Sequence, residues 1–314
     1  MDNRVICVVG PTATGKTKMG VALAKRFGGE VVSVDSMQIY RGMTIGTAAP
    51  TAEEMEGIPH HMVAVADPAE SWSVARFTEQ ADRCIQDILR RGRRPVLVGG
   101  TGLYLDSILS GRTFAAGHSG GEVRRALQTE LAQGGIEPLY RQLQAIDPTA
   151  AARLHLSDEK RILRALEVFR ETGETITAHD ARTRLRPPKY RAYTIGFTFR
   201  DRADLYERID CRVDTMVGQG LLQEVEALLK SGLPETATAL QAIGYKQFLS
   251  VYRGDTPARD AVAEVKLRSR QYAKRQLTWL RRKEDIHWIF WEKTPDFPAG
   301  LQNATEYLLA QGLG

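Results

Sequence analysis

Gly10-Pro11-Thr12-Ala13-Thr14-Gly15-Lys16-Thr17 sets two glycines, a lysine and a hydroxyl at the spacing G-x-x-x-x-G-K-[ST]. In such a loop, glycines let successive N–H groups turn inward on a phosphate, and the following helix adds its partial positive charge. Lys16 is placed to bridge terminal phosphate oxygens, and the Thr17 hydroxyl to reach a Mg²⁺. Asp35-Ser36-Met37-Gln38-Ile39-Tyr40 offers a carboxylate for proton abstraction or a water-mediated metal contact. Asp35 could equally cap the turn that follows it. Gln38 carries both donor and acceptor, the chemistry that reads an adenine edge. Gly99-Gly100-Thr101-Gly102 brackets one hydroxyl with three glycines, either to bring backbone close to a ligand or to make a tight turn. Arg208 and Arg212 share a helix face at a spacing of four. One of them could fork onto a pyrophosphate, or both could pair with Asp210 and Asp214.

These groups must be held at strand ends. Val5–Val9, Glu30–Val34 and Pro95–Val98 read as buried apolar strands, with helices around Thr17–Phe27 and Ser73–Arg91. That alternation predicts an α/β, P-loop NTPase-like fold with a mostly parallel sheet. Ligands of such sheets collect at the carboxyl ends of the strands, which brings the three loops together. From residue 116 to 190 the pattern becomes helical, near Glu122–Gln133, Glu137–Ile146 and Glu159–Glu171. This predicts an insertion domain that could move as a lid, entered through a glycine-rich hinge at Gly117–Gly121. The core is expected over 1–115 and 191–314. Arg191–Phe199 returns to strand, residues from Asp201 to about Lys283 read as helical, and Ile286–Trp291 as a last strand. His60-His61 reads as a loop shaping the cleft, without partners at metal spacing.

The 314 residues are 43% hydrophobic and 26% charged, enough for one large domain or two modest ones. Cys7, Cys84 and Cys211 are scattered, which argues against a disulfide framework or zinc site and fits a reducing cytoplasm. No apolar run reaches membrane-spanning length. The net charge of +5 is unevenly spread: Val265–Lys283 holds eight Lys/Arg and no acid. Basic residues there alternate with Tyr272 and Trp279, a pattern that suits a nucleic-acid backbone or a helix with an aromatic core face.

Taken together, these segments resemble the tRNA dimethylallyltransferases. The likeness is carried by Gly10–Thr17, Asp35–Tyr40, Pro59-His60-His61, Gly99–Leu105, Arg161–Val168, Tyr206–Met216, Ala242–Gln247 and Gln271–Trp279. It implies transfer of a dimethylallyl group from its diphosphate to N6 of adenosine 37, beside the anticodon of tRNAs that read codons beginning with U. It further implies Mg²⁺, and Thr12–Thr17 around the diphosphate. Asp35 would activate the adenine amine, and Asp35, Ser36, Met37, Gln38 and Thr101 would meet the flipped base. Contacts with tRNA are implied for Arg124, Lys160, Arg161, Ile162, Leu163 and Arg164. Ala242, Ile243, Gly244, Tyr245, Lys246 and Gln247 form a second such set, and Lys274, Arg275, Gln276, Trp279 and Arg281 a third. A monomer is expected.

The phosphate loop alone would suit ATP, and a small-molecule or nucleotide kinase is the main rival. A kinase has no use for the basic Val265–Lys283 segment. An RNA-binding ATPase or switch usually has a strand ending in Asp as its Mg²⁺ partner. Here Pro95–Val98 runs into Gly99-Gly100.

Overall fold

The computed structural model describes residues 2–111, 121–184 and 187–313. Positions 117–120 of the expected hinge lie outside them; Gly121 is the residue before the helix Glu122–Gly134. The chain divides into two compact units, Met1–Leu109 with Tyr190–Gly314, and Ser110–Lys189.

The first unit is built on six strands: β1 (Arg4–Val9), β2 (Gly29–Val34), β3 (His60–His61), β4 (Arg94–Gly99), β5 (Arg191–Phe199) and β6 (Ile286–Trp291). They form one sheet in the order β3-β2-β4-β1-β5-β6, and every pairing is parallel. His60-His61 is therefore a short edge strand and not a loop, held opposite Val31 and Val32. Alternate side chains of β1 feed two cores. Ile6 and Val8 pack with Met19 and Leu23 of the helix Lys16–Arg26, while Val5, Cys7 and Val9 share a core with Phe77, Ala81 and Ile85 of Val74–Arg90. Burial on both faces explains the unbroken apolar runs, since each such side chain contributes about 1.5–3 kcal/mol of transfer free energy.

The register fixes the site. Val9 is paired with Gly99, and Gly99 with Val34. The loops after β1, β2 and β4 therefore leave the sheet at one level. Gly99 cannot be larger, because a Cβ there would sit 2.2 Å from the Val34 carbonyl oxygen.

Beyond β5 the expected long helical stretch is four α-helices, Arg202–Gly218, Leu221–Lys230, Tyr245–Tyr252 and Ala258–Leu280, with a 3₁₀ turn at Ala239–Gln241. The chain breaks at Gly220 (φ 101°) and Gly244 (φ 100°), conformations that an L side chain resists. A further helix, Phe297–Ala310, follows β6. The second unit packs its helices around Leu127, Leu139, Leu143, Ile162 and Leu166.

One carboxylate fixes the loop after β2. Glu224 accepts from the N–H groups of Thr44 (2.8 Å), Ile45 (2.9 Å) and Gly46 (3.1 Å), from the Thr44 hydroxyl and from the buried Tyr245 hydroxyl. Burial beside this carboxylate drives the Tyr245 phenol far above its ordinary range. Removing the acceptor leaves several donors unpaired, so Glu224→Ala should destabilise the protein by about 2–3 kcal/mol in urea titration. A loss below about 0.5 kcal/mol would contradict this role.

Candidate active site

The three loops border a cavity of ≈ 420 Å³, lined among others by Thr12, Lys16, Thr17, Asp35, Gln38, Gly100, Arg212 and Tyr272. That is within the range of small-ligand sites, roughly 300–1,000 Å³. All of its lining residues belong to the first unit.

The phosphate loop is shaped from outside itself. The Thr12 N–H donates to Gln276 Oε1 (3.0 Å), Arg208 Nε donates to the Ala13 carbonyl (3.3 Å), and Trp291 Nε1 donates to the Thr14 carbonyl (2.9 Å). Phe297 packs against Gly15, where a Cβ would come within 2.5 Å of its ring. Ala13 takes a φ of 66°, a strained conformation for a residue with a side chain. Inside the loop, the Thr14 hydroxyl and Lys16 Nζ both donate to the Pro11 carbonyl, at 2.9 and 2.6 Å.

The two arginines separate. Arg212 lines the cavity with Lys16 and Asp35, whereas Arg208 holds the loop from behind and stacks over Phe199 at 5.5 Å. Asp210 and Asp214 serve neither; they pair with Arg270 (2.6 Å) and Lys266 (2.6 Å) of the basic helix. Burial pushes the Arg212 guanidinium below its ordinary value, and Asp35 opposes that shift. Lys16 is lowered to about 7, first by burial and then by Arg212, with Asp35 opposing. Its surface is only partly covered because the cavity opens over it.

Asp35 makes the expected turn cap and also borders the cavity. Oδ1 accepts the N–H groups of Met37 (2.8 Å) and Gln38 (3.4 Å) and so caps the turn. Oδ2 has no hydrogen-bond partner among the described residues, and Asp35 lines the cavity. Ser36, Met37 and Gln38 line it too. Gln38 spends its amide within the protein: Nε2 donates to the Thr47 and Ala48 carbonyls (3.3 and 3.1 Å), and Oε1 accepts from Ser33 (2.8 Å). Thr101 starts a helix, its carbonyl accepting the Tyr104 and Leu105 N–H groups at 3.1 Å. Its hydroxyl is buried beside the Tyr272 phenol, and Gly99 and Gly100, not Thr101, reach the cavity wall. Burial, and next the Asp35 charge, raise the nearby Tyr272 phenol.

Of the histidines, His60 lines the cavity, its Nδ1 2.8 Å from the Ile58 carbonyl oxygen. Burial lowers its pKa. His61 contacts Glu30 (2.8 Å), a carboxylate that Arg91 holds down to about 2.

The expected tRNA contacts divide by exposure. Ile162, Leu163 and Tyr245 are core side chains and present no surface, whereas Ala242, though buried, lines the cavity. Ile243 and Gly244 line the cavity, and Gln247 accepts the Gly244 N–H (2.9 Å). In the second unit, Arg124 and Arg164 flank the buried Glu167 at 3.7 and 2.9 Å, while Lys160 and Arg161 are exposed. Lys246 and Arg281 are also exposed. Along Ala258–Leu280, Lys266, Arg268 and Arg270 are neutralised by Asp214, Glu264 and Asp210. Lys274, Arg275, Arg281 and Arg282 have no acidic partner among the described residues. Lys274, Arg275 and Arg282 edge a second depression floored by Trp279, and Arg275 borders both it and the main cavity. Gln276 is 8% exposed, with its carboxamide on main chain at both ends, so it faces inward. Among the described residues no cluster of three or more His, Cys, Asp or Glu could hold a metal, and no helix is long and apolar enough to cross a membrane.

Sheet order, loop and cavity define a phosphate-loop α/β protein whose loop faces a deep cleft edged by unpaired basic residues. The family model "IPP transferase" matches residues 38–283, and "Isopentenyl transferase" matches residues 3–65. The chain is 42% identical over 313 residues to the tRNA dimethylallyltransferase of Acetivibrio thermocellus, covering 100% of this chain and 99% of that one. The crystal structure of a tRNA isopentenylpyrophosphate transferase from Staphylococcus epidermidis superposes with a TM-score of 0.71 at 38% identity, over 99% of this chain and 100% of that chain. A eukaryotic dimethylallyltransferase acting on tRNA gives 0.82 at 30% identity, over 98% of this chain and 78% of its own. The chain belongs to the tRNA dimethylallyltransferase family, and it is a prenyl-transferring enzyme.

The lowered Lys16 carries a testable consequence. Between about 7 and its ordinary value of 10.5, the folded protein holds fewer protons at Lys16 than a free lysine would. A bound anion restores the ammonium. Inorganic pyrophosphate binding near pH 8 should therefore take up a proton, read by calorimetry in buffers of differing ionisation heat. The uptake should fade below pH 7 and disappear in Lys16→Met. Equal uptake by wild type and variant would contradict the assignment.

Proposed function

We propose that the protein transfers a dimethylallyl group from dimethylallyl diphosphate to N6 of adenosine 37 in tRNAs reading codons that begin with U. The observation that carries this reading is the convergence of Lys16, Arg212 and Asp35 on one cavity at the Val9–Gly99–Val34 level, in a chain of this family.

The phosphate-loop N–H groups, Lys16 and Arg212 receive the diphosphate. As the C1–O bond breaks, its electron pair leaves with the pyrophosphate, and these preorganised donors stabilise the growing charge, each contributing about 10²–10³-fold. The N6 lone pair bonds to C1. The proton displaced from N6 passes to Asp35 Oδ2, a general-base contribution of about 10²–10⁴. The Thr17 hydroxyl lines the same cavity, an oxygen donor that fits Mg²⁺. It would hold the ion, which when bound would add positive charge beside the leaving group.

The adenine must leave its stack to reach this depth. Lys246, Lys274, Arg275 and Arg281 contact the anticodon arm through phosphates and unpaired bases, and the exposed Lys160 and Arg161 of the second unit are further tRNA contacts. The enzyme acts as a monomer.

Incubation of the protein with dimethylallyl diphosphate, Mg²⁺ and unmodified tRNA should give N6-dimethylallyladenosine by mass spectrometry of the nucleosides, without ATP. ATP turnover with no modified base would instead favour a kinase. Asp35→Asn should keep tRNA binding and lose about 10²–10⁴ of turnover. Reversing charge at Lys274 and Arg275 should weaken tRNA binding and flatten its salt dependence. Unchanged affinity would remove that surface from the interface.

A further inference from the structure

The buried carboxamide of Gln276 joins two loops that the sequence separates by about ninety residues. Its Oε1 accepts the Thr12 N–H (3.0 Å) and its Nε2 donates to the Gly100 carbonyl (3.1 Å). The orientation is dictated by the partners, since one offers only a donor and the other only an acceptor. Gly100 is moulded to it: a Cβ at that position would lie 2.2 Å from Gln276 Nε2 and 2.9 Å from the Gly10 carbonyl oxygen. One turn further along the helix, Trp279 covers Gly102, where a Cβ would lie 2.2 Å from its ring. The basic helix is thus seated on the glycine loop by its inner face, while Lys274 and Arg275 face outward.

We infer that Gln276 is a positioning residue: it sets the distance between the phosphate loop and the Gly99–Gly102 loop, and thereby aligns the leaving group with the acceptor. The inference rests on the prenyl-transfer reading for its kinetic consequences only. The Gln276 side chain also borders the cavity and meets the Tyr272 phenol. Its bond to Thr12 also takes the first N–H of the loop's interior out of the phosphate cradle.

Gln276→Met keeps the length and apolar packing of the side chain and removes both hydrogen bonds. In that variant kcat should fall by on the order of 10²-fold, the usual consequence of roughly ångström misplacement. KM for dimethylallyl diphosphate and the affinity for tRNA should stay within about threefold. Gln276→Glu supplies a readout that a packing role would not move. The protonated acid can still accept from Thr12 and donate to Gly100, whereas the carboxylate cannot donate. The ratio of its kcat to that of wild type should therefore fall as pH rises through its titration. Gly100→Ala should reproduce the Met variant by displacing the carboxamide. A kcat within about threefold of wild type, a flat pH ratio, or loss of tRNA affinity with kcat unchanged would each overturn the inference. Amide hydrogen exchange decides it independently of turnover: in Gln276→Met, exchange should accelerate at Thr12 and across 99–102 together. Unchanged exchange in either loop overturns the clamp, whereas wild type that fails to modify tRNA overturns only the prenyl-transfer reading.

Discussion

A phosphate loop must hold its N–H groups inward, against the pull of its own carbonyls and of a strained backbone. Here the opposing force comes from main-chain contacts made by residues far away in sequence. Gln276, Arg208 and Trp291 each bind a different peptide unit of the loop, and Phe297 closes on Gly15. With the outer carbonyls and one amide already bonded, the remaining N–H groups have nowhere to turn but into the cavity. The positive φ at Ala13 is the strain that this arrangement holds in place. The same helix that supplies Gln276 carries the exposed cations Lys274 and Arg275, so the anion site and the basic surface share one rigid element.

Charge is allocated with similar economy along that helix. Its N-terminal half is neutralised by acids of its own and of the Arg202–Gly218 helix, which fastens the two helices together. Its C-terminal half is left unpaired among the described residues. A run of basic residues that looks uniform in sequence is therefore half structural and half available to a polyanion. Burial at Lys16 works in the opposite direction, holding a cation near the point where its charge depends on the arriving anion.

The fold was legible where chemistry and periodicity coincide. The runs of β1, β2, β4, β5 and β6, and the converging loops, follow from apolar strands ending in glycine or aspartate. What escaped was set by tertiary contact. A two-residue strand at His60-His61 has no periodicity to detect and exists because β2 offers an unpaired edge. Gln276 among lysines and arginines reads as surface, and only the packed structure turns it inward. The choice between Arg208 and Arg212 needed the helix's rotation about its axis, which a spacing of four cannot supply. Glu224 carries no sequence signal that sets it apart from other helical acids, because the five donors that converge on it come together only in the packed structure.

The reliance of the first loop on Trp291 and Phe297 has a consequence for biosynthesis. Residues Gly10 to Thr17 are made well before Trp291 and Phe297, two of the side chains that shape them. A nascent chain, or one cut short before β6, carries the complete phosphate-loop sequence without the scaffold that gives it form. The shape of the first loop is thereby tied to the folding of a segment that lies beyond β5.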